Sequence, residues 1–134
     1  MKKCHLALEI THWVTPELDL PLYCEFVYDS QDPLAVTVVL DTQGVRPVTW
    51  VLSRDLLSEG MTARAGTGDV VLWPLIDHDG ESSSFCLRVG SGPTVLFEVP
   101  AEPVASWLAR TYDMVPCGAE LDGVDWDELV QLAE

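Results

Sequence analysis

The feature that most constrains this chain is the two-residue alternation of apolar side chains through its first fifty residues. Leu6, Leu8 and Ile10 alternate with Ala7, Glu9 and Thr11, the period of a strand with one face buried. A second run, Leu20 to Tyr28, puts Leu22, Cys24 and Phe26 on one side and ends at the turn-forming Asp29-Ser30-Gln31-Asp32-Pro33. Ala35 to Leu40 is rich in β-branched residues, Asp41-Thr42-Gln43-Gly44 reads as a hairpin turn, and Val45 to Leu52 makes a fourth strand.

The period then changes. Ser53-Arg54-Asp55-Leu56-Leu57-Ser58-Glu59-Gly60 carries a capping serine, an early acid and a closing glycine, so a short helix is predicted there. Asp69 to Ile76 is a fifth strand, with Pro74 predicting an end near Trp73. Ser83 to Val89 and Thr94 to Val99 follow, joined by the tight turn Gly90-Ser91-Gly92-Pro93. A helix starting near Pro103 places Val104, Trp107, Leu108 and Thr111 on one face. Pro116-Cys117-Gly118 breaks it. Asp125-Trp126-Asp127-Glu128 resembles a capping box for a last helix with Trp126, Leu129, Val130 and Ala133 on its apolar side. The predicted fold class is α+β: two antiparallel β-sheets with helices after each half, ββββα-βββαα, in one domain spanning residues 1–134. A chain of 134 residues buries enough surface to fold without disulfide or metal.

Charge narrows the function. Seven basic residues face 22 acidic ones, for a net charge of −15. Such a field repels polyanions and anionic membrane surfaces, and nucleic-acid binding draws most of its affinity from cations that neutralise phosphates. Cys4, Cys24, Cys86 and Cys117 include no Cys-x-x-Cys pair, so they read as structural thiols, and no metal or other cofactor is expected. His5, Glu9 and His12 interrupt the apolar run that a secretory leader needs, which predicts a cytoplasmic protein.

Motifs that invite chemistry fail on context. Gly66-Thr67-Gly68-Asp69 enters a strand and not a helix, so it is a turn and not a phosphate loop. Asp77-His78-Asp79-Gly80-Glu81 is too short for a calcium loop and reads as a solvated hairpin loop. Gly90-Ser91-Gly92 lacks the nucleophile elbow, and His5, His12 and His78 are isolated from one another. No residue is a candidate catalyst. The five tryptophans, Trp13, Trp50, Trp73, Trp107 and Trp126, have no interleaved cations and suit packing in a core or interface.

One combination of motifs is more specific than its parts. Tyr28-Asp29, Asp32-Pro33, Ala35-Val36, Trp50-Val51, Arg54-Asp55-Leu56-Leu57, Glu59-Gly60, Gly66-Thr67-Gly68-Asp69-Val70 and Trp73-Pro74 follow in that order. In this the chain resembles the SsgA-like proteins of sporulating actinobacteria. The resemblance is densest from Tyr28 to Pro74 and continues more weakly through Glu98-Val99-Pro100 and Trp107-Leu108 to the end. It implies a Whirly-like architecture, similar to single-strand-binding folds, assembled as a homotrimer. It also implies a non-catalytic role in sporulation-specific septation: marking septum sites and recruiting the tubulin-like division protein FtsZ, with an SsgA-type paralogue helping to place the complex. Two other roles stay open at this stage, namely scaffolding of septal peptidoglycan remodelling or spore separation, and single-stranded nucleic-acid binding. FtsZ proteins are acidic, so contact with one must come from apolar area and a few local ion pairs. Arg46, Arg54 and Arg64, the basic residues in the middle of the chain, are the candidates for anchoring such a partner.

Overall fold

A computed structural model describes residues 2–122. Seven strands and two helices follow in the order β1 Lys3–Thr15, β2 Leu18–Asp29, β3 Ala35–Leu40, β4 Val48–Ser53, α1 Arg54–Gly60, β5 Val70–Leu75, β6 Ser84–Val89, β7 Val95–Pro100 and α2 Ala101–Met114. The α+β class and the strand and helix order match the expectation as far as Asp122. The final helix expected around Trp126 lies outside the described residues.

The strands do not form two sheets. They form one antiparallel sheet of seven, ordered β4-β3-β2-β1-β7-β6-β5. The reason is the length of β1. Its first part pairs with β2 from Lys3 onward, and its far end, Thr11 to Trp13, also pairs with Glu98 to Leu96 of β7. That short ladder joins the β1–β4 half to the β5–β7 half, and the sheet curls at the corner.

The curl sets one face of the sheet around a core. Phe26, Tyr28, Val36, Val38, Phe85, Leu87 and Val99 are fully enclosed there, capped by Leu57 of α1 and by Val104, Trp107 and Leu108 of α2. Each such side chain contributes about 1.5–3 kcal/mol by leaving water. Trp107 lies against Phe26 with ring centroids 5.8 Å apart. It fixes α2 on the β1 side of the sheet, while α1 packs on β4 and β5. α1 starts where the sequence predicts. The Ser53 hydroxyl accepts a hydrogen bond from the Leu56 amide at 3.1 Å. Gly60 is required by proximity, because a Cβ there would sit 2.3 Å from the Leu72 Cβ.

Two prolines explain the sheet edges. Leu72 exchanges backbone hydrogen bonds with Ala65, 2.9 Å each way, so even-numbered residues of β5 turn their amides to its free edge. Pro74 shares that parity. Its missing N–H faces outward, and β5 runs on to Leu75 instead of ending near Trp73. β2 is similar. Tyr23 accepts from Thr42 at 3.1 Å on the β3 side, yet β3 pairs only with Cys24 to Val27. Pro21 therefore lies where that edge is open, and its lack of a donor blunts the edge against strand addition. β4 begins at Val48, three residues later than expected, since Val45 stands fully out in solvent in the preceding turn.

Candidate partner-binding surface

Of the three arginines singled out by the sequence, Arg54 is not on the surface. It is 1% exposed. As the first residue of α1 it points inward beneath the end of α2. One guanidinium nitrogen donates to the Thr111 carbonyl and another to Glu120 Oε1, both at 3.0 Å. The guanidinium carbon also stands 4.1 Å from the Tyr112 ring centroid and 4.8 Å from that of Tyr28. Arg54 therefore holds the end of α2 and the turn around Glu120 to the sheet, and its burial excludes it as an external anchor. Burial raises the pKa of both tyrosines. Glu120 is held below the ordinary carboxylate value by its own backbone amide and by Arg54. The Arg54 Nε and the Trp107 Nε1 are buried without a partner among the described residues.

Arg64 is exposed, in the loop after α1, and its guanidinium lies 5.2 Å from the centre of the Trp73 ring. Arg88 of β6, which the sequence reading did not single out, approaches the same ring at 5.8 Å. Both belong to the sheet face opposite the core. The register arrays that face as Val71, Arg88, Leu96 and Trp13 across one row, and Trp73, Cys86, Glu98 and Thr11 across the next. Glu98 accepts a hydrogen bond from the Trp13 indole at 3.2 Å. Beside it an open apolar groove of about 490 Å³ runs between Trp13, Pro16, Leu75, Cys86 and Leu96. The Cys86 thiol is pushed up to about 11, chiefly by burial and secondly by Glu98.

Arg46 stands elsewhere, exposed at the mouth of a cavity of about 380 Å³ on the core side, where His12, Trp50 and Phe97 are the aromatic walls. The three anchors thus do not form one site. Arg64 alone joins a second cation, and the register that brings Arg88 to it depends on β5–β6 pairing that no local motif encodes.

Other chemistry-bearing groups have partners or are dispersed. His5 faces Glu25 at 2.9 Å, and His12 lies against Phe97 at 5.2 Å between ring centres. Asp55, Cys117 and Glu120 offer three ligand atoms within 4.8 Å of one another. Both Glu120 oxygens, however, are already engaged, by Arg54 and by the Gly118 amide at 2.8 Å, and Asp55 accepts from the Tyr112 hydroxyl. The guanidinium already supplies the positive charge that this cluster attracts. Cys4, Cys24 and Cys86 are buried and Cys117 is exposed. Gly66-Thr67-Gly68 is a turn: Gly66 has φ +92°, and a Cβ there would lie 2.3 Å from the Val70 carbonyl oxygen. Among the described residues no helix is long and apolar enough to cross a membrane.

With this geometry in place, comparison with known proteins gives a consistent result. The family model described as "Streptomyces sporulation and cell division protein, SsgA" matches residues 22–120. The sporulation-specific cell division protein SsgB of Streptomyces coelicolor is 38% identical over 125 residues, covering 93% of this chain and 89% of that protein. SsgB of Saccharopolyspora erythraea is 41% identical over 109 residues, with 81% and 76% covered. Among solved structures, one described by "Mutations in SsgB correlate to longitudinal cell division during sporulation of Streptomyces coelicolor" superposes with a TM-score of 0.81 at 37% identity, over 89% of this chain and 93% of that one. An SsgA-like sporulation-specific cell division protein from Thermobifida fusca superposes at 0.83 with 27% identity, over 99% and 96%.

Proposed function

Because this chain belongs to the SsgA family of sporulation and cell division proteins, we propose that it acts in sporulation-specific septation as a non-catalytic adaptor that marks septum sites and recruits FtsZ. The role in cell division during sporulation follows from the family. Septum marking and FtsZ recruitment are the finer reading. The observation that supports it most is the extent of the likeness to SsgB, 38% identity sustained over 93% of the chain. An adaptor works through surface and not through a reaction centre, and the outer sheet face offers such a surface: two arginines, two tryptophans and an open groove. In this reading the fold is Whirly-like and the working unit is a homotrimer, so light scattering should give three times the protomer mass of 14.8 kDa. Nucleic-acid binding is disfavoured by the net charge of −15.

The test is in the sporulating host. A fluorescent fusion of the protein should form regularly spaced foci before FtsZ rings appear, and depletion should abolish the rings while leaving vegetative growth intact. Normal FtsZ rings in depleted hyphae would overturn the reading.

A further inference from the structure

Two of the seven basic residues, Arg64 of the loop after α1 and Arg88 of β6, both approach one ring, that of Trp73, at 5.2 and 5.8 Å from its centre. Among the described residues, neither arginine has a carboxylate within 4.0 Å, although the chain carries 22 acidic residues. The same holds for Arg46 and Arg110, so what sets Arg64 and Arg88 apart is their shared approach to Trp73. Two guanidiniums on one indole repel each other, and an anion set between them relieves that repulsion. Arg88 is directly opposite Leu96 in the register, and Leu96 opposite Trp13, so the positive end runs straight into the apolar groove of Trp13, Leu75 and Leu96. Strand addition at the nearby edge is blocked by Pro74 and by the Ala65–Leu72 bridge. Recognition there must use side chains.

We propose that this outer sheet face binds an acidic segment of a partner protein, its carboxylates between Arg64 and Arg88 and a large apolar side chain in the Trp13–Leu75–Leu96 groove. Charge complementarity selects the occupant. Two carboxylates match two guanidiniums and can stop there, whereas the regular charges of a phosphate backbone continue past the arginines onto Glu98, fixed in the middle of the face by the Trp13 indole, and each added phosphate meets the repulsion of the whole molecule that a short acidic segment meets only a few times. An aromatic and arginine surface with a groove is also the composition that concentrates binding energy at protein interfaces. The proposal rests on the adaptor reading in one respect, that partner binding is how the protein works.

The test uses the full chain and a fluorescein-labelled copolymer of glutamate and tyrosine, read by anisotropy at low and at physiological salt. Binding should saturate, weaken as salt rises, and fall about tenfold in the Arg64→Ala/Arg88→Ala double variant. Arg110→Ala, an exposed arginine on α2, should bind like the parent. Thermal melts of each variant control for folding, and Arg64→Lys/Arg88→Lys retains the charges should the alanines unfold the protein. Binding unaffected by the double substitution, no binding, or tighter binding of a labelled single-stranded oligonucleotide would each overturn the proposal. Loss of self-association in the double variant, with copolymer binding unchanged, would assign the face to a second copy instead and also overturn it. Co-pelleting with FtsZ polymers separates the two readings. Pelleting retained by the double variant overturns this face and leaves the adaptor standing, while copolymer binding without any pelleting does the reverse.

Discussion

Replacing Arg54 should cost this protein more stability than any other single charge change. The side chain is 1% exposed, donates to Thr111 and to Glu120, and lies against Tyr28 and Tyr112. Arg54→Ala leaves the Thr111 carbonyl with only the Val115 amide as donor, opens a cavity between two aromatic rings and strands a carboxylate. Removing one partner of a buried pair costs about 3–5 kcal/mol. The lower half of that range applies, because Glu120 keeps its bond to the Gly118 amide and lies near enough to the surface to regain water. A loss of about 3–4 kcal/mol corresponds to a drop in melting temperature of about 10–15 °C for a domain of this size. Arg54→Lys should recover about half of the loss, since an ammonium keeps the charge but not the planar fork or the stacking. Urea denaturation followed by tryptophan fluorescence reads the difference directly. If Arg54→Ala melts within about 3 °C of the parent, or if Lys restores full stability, the clamp is not what fixes the end of α2.

Three further outcomes follow from the same geometry. Because the Glu120 pKa is lowered on folding from its ordinary value of 4.5, its contribution is complete above that value and is lost as pH falls through the lower folded one; Glu120→Gln should flatten the acid limb of the stability curve, and an unchanged limb would contradict this. Gly66→Ala should cost about 1–3 kcal/mol through its left-handed backbone and the approach to Val70, seen as a lower urea midpoint, whereas Gly68→Ala has open space around it and bears only the backbone cost. A thiol reagent at neutral pH should label Cys117 quickly and leave Cys24 and Cys86 untouched until unfolding, since burial pushes those thiols up to about 12 and about 11; early loss of three thiols would contradict it.

Local structure was largely legible. Ser53 caps α1 as its chemistry requires, whereas Gly60 is demanded by its approach to Leu72 and the helix is capped by Met61 in a right-handed conformation. The alternation in β2 names the core residues Cys24 and Phe26, with Leu22 on the same side only half-buried. What escaped was set by tertiary geometry. The corner pairing of Thr11–Trp13 with Leu96–Glu98 spans more than eighty residues, and it decides between one sheet and two. Pro74 marks a strand end only if the strand is central; at an edge its missing donor costs nothing. Arg54 follows a capping serine, where a polar side chain normally meets water. Its burial depends on Tyr28, Tyr112 and Glu120 arriving from distant parts of the chain. The converse holds for Arg88, an ordinary outward position on β6 until β5 sets Trp73 beside it.

The central claim, recruitment of FtsZ by direct contact, is tested most directly by sedimenting the purified protein with GTP-assembled FtsZ from the same organism. The account expects saturable pelleting that requires polymer and disappears when GTP is withheld. Absence of the protein from the pellet, with FtsZ shown to have assembled, would contradict it.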